Sequence, residues 1–305
     1  MSGRHEPVLL AETLAFLRNG AGLYLDATVG DGGHAEALLD SDPGVRLFAT
    51  DRDPGSLAAA RDRLARFGAR VSFAHATFRE LPEAHRDAGG ERFAGALLDL
   101  GLSSRQIDDP QRGISFAADG PLDLRMDPTR GTAAAARLAD ADADVVADVL
   151  RRLGDVGPAR RLARAITAAA RDGRLSSTRA LAELVDRTWG GPPHPRNRAR
   201  VFQALRMWVN EEREDLEAVL EWLPVAMRAG GIVVTLAYHS GEDRCIKYAL
   251  RGRPETVSRR LPEPLRVASP WDELTRRVVV PSIDEVRANP RARSARLRSF
   301  RRRVS

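Results

Sequence analysis

The sequence predicts an α/β chain of the Rossmann-like kind, interrupted by an inserted all-helical domain. Three observations predict it. LYLDATVGDGGHAEALL (23–39) runs from an apolar strand pattern through three glycines in four positions into an Ala/Leu-rich helix pattern. RLFATDRDP (46–54) reads as a second buried strand ending in Asp51, 25 residues after Asp26. Leu100 and Ile232, each in an apolar strand pattern, stand about 130 residues apart, where a crossover needs one helix and a few dozen residues.

The glycine turn comes first along the chain. Glycines between a strand and a helix leave bare backbone N–H groups beside the positive end of the helix dipole, a place for an anion or for a nucleoside lying close to the backbone. Such turns also occur as plain connectors, so the second βα unit matters. Asp51 stands where a doubly wound fold places the carboxylate that holds ribose hydroxyls. No G-x-x-x-x-G-K-[ST] occurs and the only lysine is Lys247, which excludes a P-loop nucleotidase. Dinucleotides and S-adenosylmethionine remain as ligands.

A helix pattern follows at 54–68, then strands at 71–78 (VSFAHATF) and 93–101 (FAGALLDLG), the alternating units of a parallel sheet. GGIVVTLAYHS (230–240) is the next buried strand. A helix follows from about Glu242, and LTRRVVV (274–280) reads as a last strand. The long interval between is helical. Residues 132–154, 158–173, 176–190 and 198–223 carry apolar residues three and four apart, with Ser177 as an N-cap and Gly173 and Gly190 as stops. Leu205, Trp208 and Val209 read as core, and ADADAD (139–144) as a helix start or solvated loop, since a calcium loop's glycine and terminal glutamate are absent. The expected division is a first Rossmann-like part at 1–108, the helical insert at 109–212, and a second part with a basic C-terminal tail at 213–305.

With 305 residues, 43% of them hydrophobic, the chain can bury a sizeable core. No apolar run reaches membrane-spanning length, and MSGRHEPVLL carries Arg4 and Glu6 instead of a signal-peptide pattern, so a cytosolic protein is expected. The single Cys245 and six scattered histidines show neither disulfide framework nor metal-ligand spacing; no metal is expected. Basic residues number 48 against 42 acids, and all but one of the basic residues are arginine. RANPRARSARLRSFRRRVS (287–305) has eight arginines and no acid, which suits phosphate contacts or a solvated tail.

The chemistry is expected at the end of the fourth strand, DLGLSSRQIDDPQRGISF. Asp99 follows an apolar run, so its carboxylate emerges at the lip of the sheet facing the nucleoside site. An exocyclic amine of cytosine or adenine has its lone pair delocalised into the ring. A hydrogen-bond acceptor on its N–H restores density as a sulfonium methyl is attacked, a role open to Asp99 with Ser103 and Ser104 nearby. An Asp here can also serve as a turn or capping residue.

HEPVLL (5–10), DATVGDGGH (26–34), DRDP (51–54), DLGLSSRQID (99–108), RGISF (112–116), GPLDLRMD (120–127), FQALRMWVN (202–210), HSGEDR (239–244) and NPRARSARLR (289–298) together resemble the bacterial 16S rRNA cytidine N4-methyltransferase family (RsmH, formerly MraW). The resemblance spans residues 5 to 298. It implies a class I S-adenosylmethionine-dependent methyltransferase fold with an inserted helical domain, acting on a cytidine in the decoding region of the small ribosomal subunit. It implies cofactor positions at Gly32, Gly33, His34, Asp51, Phe78, Asp99 and Gln106, with His239 and Asp243 on a loop at the target base. The chain departs from the family pattern at Ala237-Tyr238, where Ser-Phe is usual, at Gly241, where Leu is usual, and at Gly154-Asp155-Val156, where Gly-Glu-Glu is usual. Gly241 is expected to loosen the loop presenting His239 and Asp243, and Val156 to remove any role of the second acid. A Rossmann oxidoreductase and a non-catalytic RNA-binding relative are the other two classes; nicotinamide binding would expose the first, and failure of methyl transfer despite cofactor binding the second.

Overall fold

The computed structural model describes residues 7–252 and 269–304. Two compact units divide the chain: residues 1–101 with 214–305, and residues 102–213. His5 and Glu6 of the HEPVLL stretch lie outside the described residues.

The first unit is built on a seven-stranded sheet. Its strands are β1 (Gly22–Asp26), β2 (Val45–Asp51), β3 (Val71–His75), β4 (Phe93–Asp99), β5 (Met227–Ala237), β6 (Trp271–Glu273) and β7 (Arg296–Arg302), in the order β3-β2-β1-β4-β5-β7-β6. The first five are parallel; β7 runs antiparallel between β5 and β6. Strand side chains alternate between faces. Tyr24, Leu47, Leu97 and Leu236 enter one core, with α1 (Leu10–Leu17), α2 (Gly33–Ser41) and α3 (Pro54–Leu64) supplying Leu17, Leu38 and Leu57. Leu25, Phe48, Leu98 and Phe300 enter the other. There α4 (Leu81–Asp87), α11 (Glu212–Ala226) and α12 (Ser240–Arg251) supply Leu81, Leu220 and Ile246. Helices on both faces are what a buried parallel sheet requires. The order turns back between β1 and β4, so the crevice at their carboxyl ends is the fold's natural ligand position.

The second unit contains α5 (Ser104–Asp108), α6 (Ala134–Asp140), α7 (Ala143–Gly154), α8 (Ala159–Arg171), α9 (Thr178–Trp189) and α10 (Pro195–Val209). Its core includes Leu138, Leu150, Val156, Ile166, Leu181 and Leu205. Local chemistry sets the breaks. Ser177 caps α9 by accepting from the Ala180 amide, Gly173 (φ 69°) follows α8 and Gly190 (φ 85°) ends α9. The helical pattern over 132–154 is divided at Ala141–Asp142, so that ADADAD contains the start of α7, as one reading of it expected. The helical pattern over 198–223 is interrupted at Asn210 and Glu211 (φ 51°), between α10 and α11. Asn210 bonds there to Leu124, Met126 and Arg206 backbone groups, and these compensate the interruption.

Three expectations need correction in the first unit. The 71–78 strand ends at His75, and Phe78 opens a short 3-10 turn, because Thr77 and Glu80 cap one another's backbone. The last-strand reading of 274–280 is misplaced: β6 lies just before it, and Val279 makes only an isolated bridge to Leu297. The basic tail is no tail over 296–302. Those residues are β7, with Leu297 and Phe300 fully buried and Arg298 ion-paired to Asp243 and Glu273. Neutralising that arginine is what lets so basic a segment enter a sheet.

Candidate active site at the carboxyl ends of the strands

The turn after β1 places Gly30 at φ 52° and Gly32 at φ 80°, backbone that L side chains rarely adopt. Gly32 is the N-cap of α2, so the first amides of that helix and the positive end of its dipole face the turn. Gly33 is bare for another reason. A Cβ there would stand 2.4 Å from Pro7 Cγ, so the position makes room for the N-terminal segment. That segment also fixes His34, whose Nε2 lies 3.0 Å from the Val8 carbonyl oxygen.

Three carboxylates end three adjacent strands. Asp51, at the end of β2, accepts from the Gly30 amide (2.9 Å) and the Asp53 amide (2.8 Å), tying the turn to the second strand; burial raises its pKa to about 6. Asp26, at the end of β1, is buried, and burial, with Asp99 and Asp51 as like charges nearby, raises its pKa to about 8. Asp99, at the end of β4, is held by the Gly101 amide, which donates to Oδ1 at 3.2 Å. Its own amide donates to Thr28 Oγ1 (2.7 Å). His34 Nδ1 is 3.8 Å from Asp99 Oδ2. Burial pushes Asp99 up and His34 down, so both are biased towards their neutral forms.

Gly32, Gly33, His34, Asp51 and Asp99 are therefore brought together. Phe78 follows β3 by three residues, partly buried against the core that contains Phe48 and Leu98. His239 and Asp243 have partners of their own. His239 caps α12, its Nδ1 accepting from the Gly241 and Glu242 amides and its Nε2 lying 3.0 Å from Glu242 Oε1. Asp243 receives Arg298 through Nε at 2.7 Å and has Arg296 at 3.6 Å. Gly241 thus sits in the first turn of a capped helix, where a Cβ would lie 3.0 Å from His239 Nδ1. In the second unit, Ser103 and Gln106 cap each other across the first turn of α5, which Ser104 begins.

Sequence reasoning passed over two groups. Asp26 served only as an origin for counting, although an acid ending a strand beside the switch point was a usable signal. Tyr238 registered only as a departure from a pattern. Its ring packs beside Gly101, two residues past Asp99, across the pairing of β4 with β5, and no linear spacing shows it.

The residues assigned to the cofactor fit it chemically: free helix-start amides suit a carboxylate, Asp51 suits a vicinal diol, and Phe78 is an apolar ring near a strand end. Among the described residues no group of three or more His, Cys, Asp or Glu could hold a metal ion, and no helix is long and apolar enough to cross a membrane.

Comparison with known proteins gives one consistent family. The profile of the MraW methylase family matches residues 2–303. A ribosomal RNA small subunit methyltransferase H from Sorangium cellulosum is 42% identical over 98% of this chain and 91% of its own length. The protein of the same name from Leptothrix cholodnii is 44% identical over 97% of this chain and 92% of its own. Among solved structures, a putative rRNA-methylase from Clostridium thermocellum aligns over 96% of this chain and 94% of its own at a TM-score of 0.43 and 11% identity, too loosely to bear on the argument.

Proposed function

Because the chain belongs to the MraW methylase family, we propose that it transfers a methyl group from S-adenosylmethionine to the exocyclic N4 of a cytidine in the decoding region of 16S rRNA, with the small ribosomal subunit as its partner. The observation that carries the chemistry is the position of Asp99 at the carboxyl end of β4, beside the switch point and next to the turn after β1.

Bound there, S-adenosylmethionine supplies an electrophilic methyl on a sulfonium. The first amides of α2, at Gly33 and His34, and the cap Gly32 would hold its methionine part. Asp51 would accept from its ribose hydroxyls, and Phe78 would supply an apolar ring for its base. Asp99 accepts an N–H of the target amine, which pushes the delocalised lone pair back onto nitrogen. Displacement would form the N–CH3 bond as the S–CH3 bond breaks, leaving a neutral thioether, and the proton that the nitrogen gives up would pass to Asp99. A carboxyl group whose burial raises its pKa is better matched to taking a proton near neutrality than an exposed one. Ser103, Ser104 and Gln106 complete the assignment in the second unit, while His239 and Asp243 shape the start of α12 that follows β5.

Mass spectrometry of nucleosides from small-subunit rRNA, incubated with the protein and S-adenosylmethionine or with neither, tests the reading. N4-methylcytidine is expected only in the complete reaction; its absence in a folded, cofactor-binding protein would leave a non-catalytic relative.

A further inference from the structure

Two of the residues assigned to the nucleoside, Asp51 and Phe78, lie at or just beyond the ends of the paired strands β2 and β3, and each is followed directly by an arginine. Arg52 comes immediately after β2, and Arg79 stands in the short 3-10 turn Phe78–Glu80. Both guanidinium groups run to one carboxylate. Asp215, in the first turn of α11, accepts from Arg79 Nε on Oδ1 at 2.5 Å and from Arg52 Nη1 on Oδ2 at 3.3 Å. Its side chain is only 3% exposed, against 22% for Arg52 and 47% for Arg79, so two strand-end loops are drawn onto one buried acid. All three residues belong to the first unit, Asp215 being the second residue after the chain returns from the helical one.

An acid in the first turn of a helix has an ordinary reason to be there, the helix dipole, and that reason calls for neither burial nor a partner. Here both oxygens are taken by cations from two different loops. A buried ion pair adds little net stability, because desolvation offsets the attraction; what it fixes is geometry. The backbone on either side is fixed as well. The Arg52 carbonyl oxygen lies 3.0 Å from His75 Nε2, and the Asp51 carbonyl accepts the Ala76 amide at 3.2 Å. Arg79 projects from a turn closed by the mutual capping of Thr77 and Glu80, and the first residue of that turn is Phe78. We propose that Asp215 is a positioning residue for the adenosine half of S-adenosylmethionine: through Arg52 and Arg79 it fixes the spacing between the Asp51 carboxylate, which would take the ribose, and the Phe78 ring, which would take the base. Asp215 acts through the two arginines and has no assigned contact with the cofactor. Arg52 has a second effect on the same acceptor, since its charge is among the influences that oppose burial at Asp51.

The inference rests on the methyltransferase reading for the identity of the ligand, and its test separates the two. Calorimetry with S-adenosylhomocysteine and with adenosine alone reads the pocket without any turnover. Asp215→Asn keeps the shape and removes the charge. Both dissociation constants are expected to rise by the same factor, roughly three- to tenfold, while KM for S-adenosylmethionine rises and kcat at saturation is retained. Arg79→Gln, at the more exposed end of the network, keeps the test available where the buried change impairs folding, and should give a smaller rise for both ligands. In the double variant the Arg79 change should add nothing to Asp215→Asn, because its partner is already gone. A structural tie would lower the melting temperature of each variant and leave both dissociation constants at the wild-type values, which would overturn the proposal. Additive losses would overturn it too, by making Arg79 a direct contact of the ligand. So would a loss for S-adenosylhomocysteine without one for adenosine, which would move the effect to the methionine half. A wild type that binds both ligands yet makes no N4-methylcytidine would overturn the reaction and leave the positioning role standing; one that binds neither would overturn both.

Discussion

Asp26 and Asp51 illustrate how single side chains at this site store a cost that the protein's other parts carry. Asp26 is buried among two further carboxylates, and its folded pKa of about 8 lies well above the value of about 3.9 in an unfolded chain. In that window the folded state binds more protons than the unfolded one. The stability of the ligand-free protein therefore falls as pH rises from about 4 to about 8, by up to a few kcal/mol from this group. Asp26→Asn should flatten that decline in urea melts at pH 5 and pH 8; an unaltered pH dependence would show that Asp26 ionises freely. Asp51 has a different duty. One oxygen accepts the Gly30 amide, which joins the turn to β2, the other accepts the Asp53 amide just beyond the strand, and the proposed ribose contact uses their remaining lone pairs. Asp51→Ala removes a charged acceptor, worth ~1.5 to 3 kcal/mol, so calorimetry should show S-adenosylmethionine affinity down by roughly tenfold or more. An unchanged dissociation constant would move the ribose elsewhere.

Among the elements, β7 shows where linear reading stops. Strands β1, β2, β4 and β5 are apolar runs of the right length, and the glycine turn, Asp51 and Asp99 sit at their ends, so sheet and switch point are legible in the order of residues alone. RLRSFRR is dominated by arginine, and its membership of the sheet depends on Asp243 of α12 and Glu273 of β6, which neutralise Arg298. That pairing is tertiary and leaves no local signature. Phe300 is fully buried in β7, so Phe300→Ala should cost ~3 to 5 kcal/mol in a urea titration, where a solvated tail would give nothing. Basic contacts with RNA are better sought on α8, whose sequence ARRLARAITAAAR has four arginines and no acid, with Arg160 and Arg164 exposed one turn apart. Replacing both with alanine should weaken small-subunit binding across sequences and reduce the log-log salt slope by about one unit per lost phosphate contact. An unchanged slope would place the RNA on another face.

At the scale of the whole molecule, the two units answer to different demands: one presents strand ends and a glycine turn, the other is a helical core with arginine on its surface. The sequence contains a single cysteine, and this fact limits the chemistry the assembly can perform. Methylation of cytidine at C5 requires a thiolate to add to C6 and break the ring's aromaticity, so it needs a reactive cysteine against the base. Cys245 lies in α12, partly buried against the core that contains Ile246 and Leu250, two residues beyond an Asp243 already paired with Arg298. A thiol in such a setting is a small packing group. Attack by N4 needs no covalent enzyme intermediate, only an extruded base and an acceptor for the amine proton. Cys245→Ala should accordingly retain methyl transfer within a few-fold of wild type, while Asp99→Ala loses it. Because Asp99 is also assigned to the cofactor, its variant must be assayed at saturating S-adenosylmethionine, so that weakened binding is not mistaken for lost chemistry. Loss of activity in a folded Cys245→Ala protein, or 5-methylcytidine as the product, would overturn direct displacement by N4 and require the thiol to reach the base.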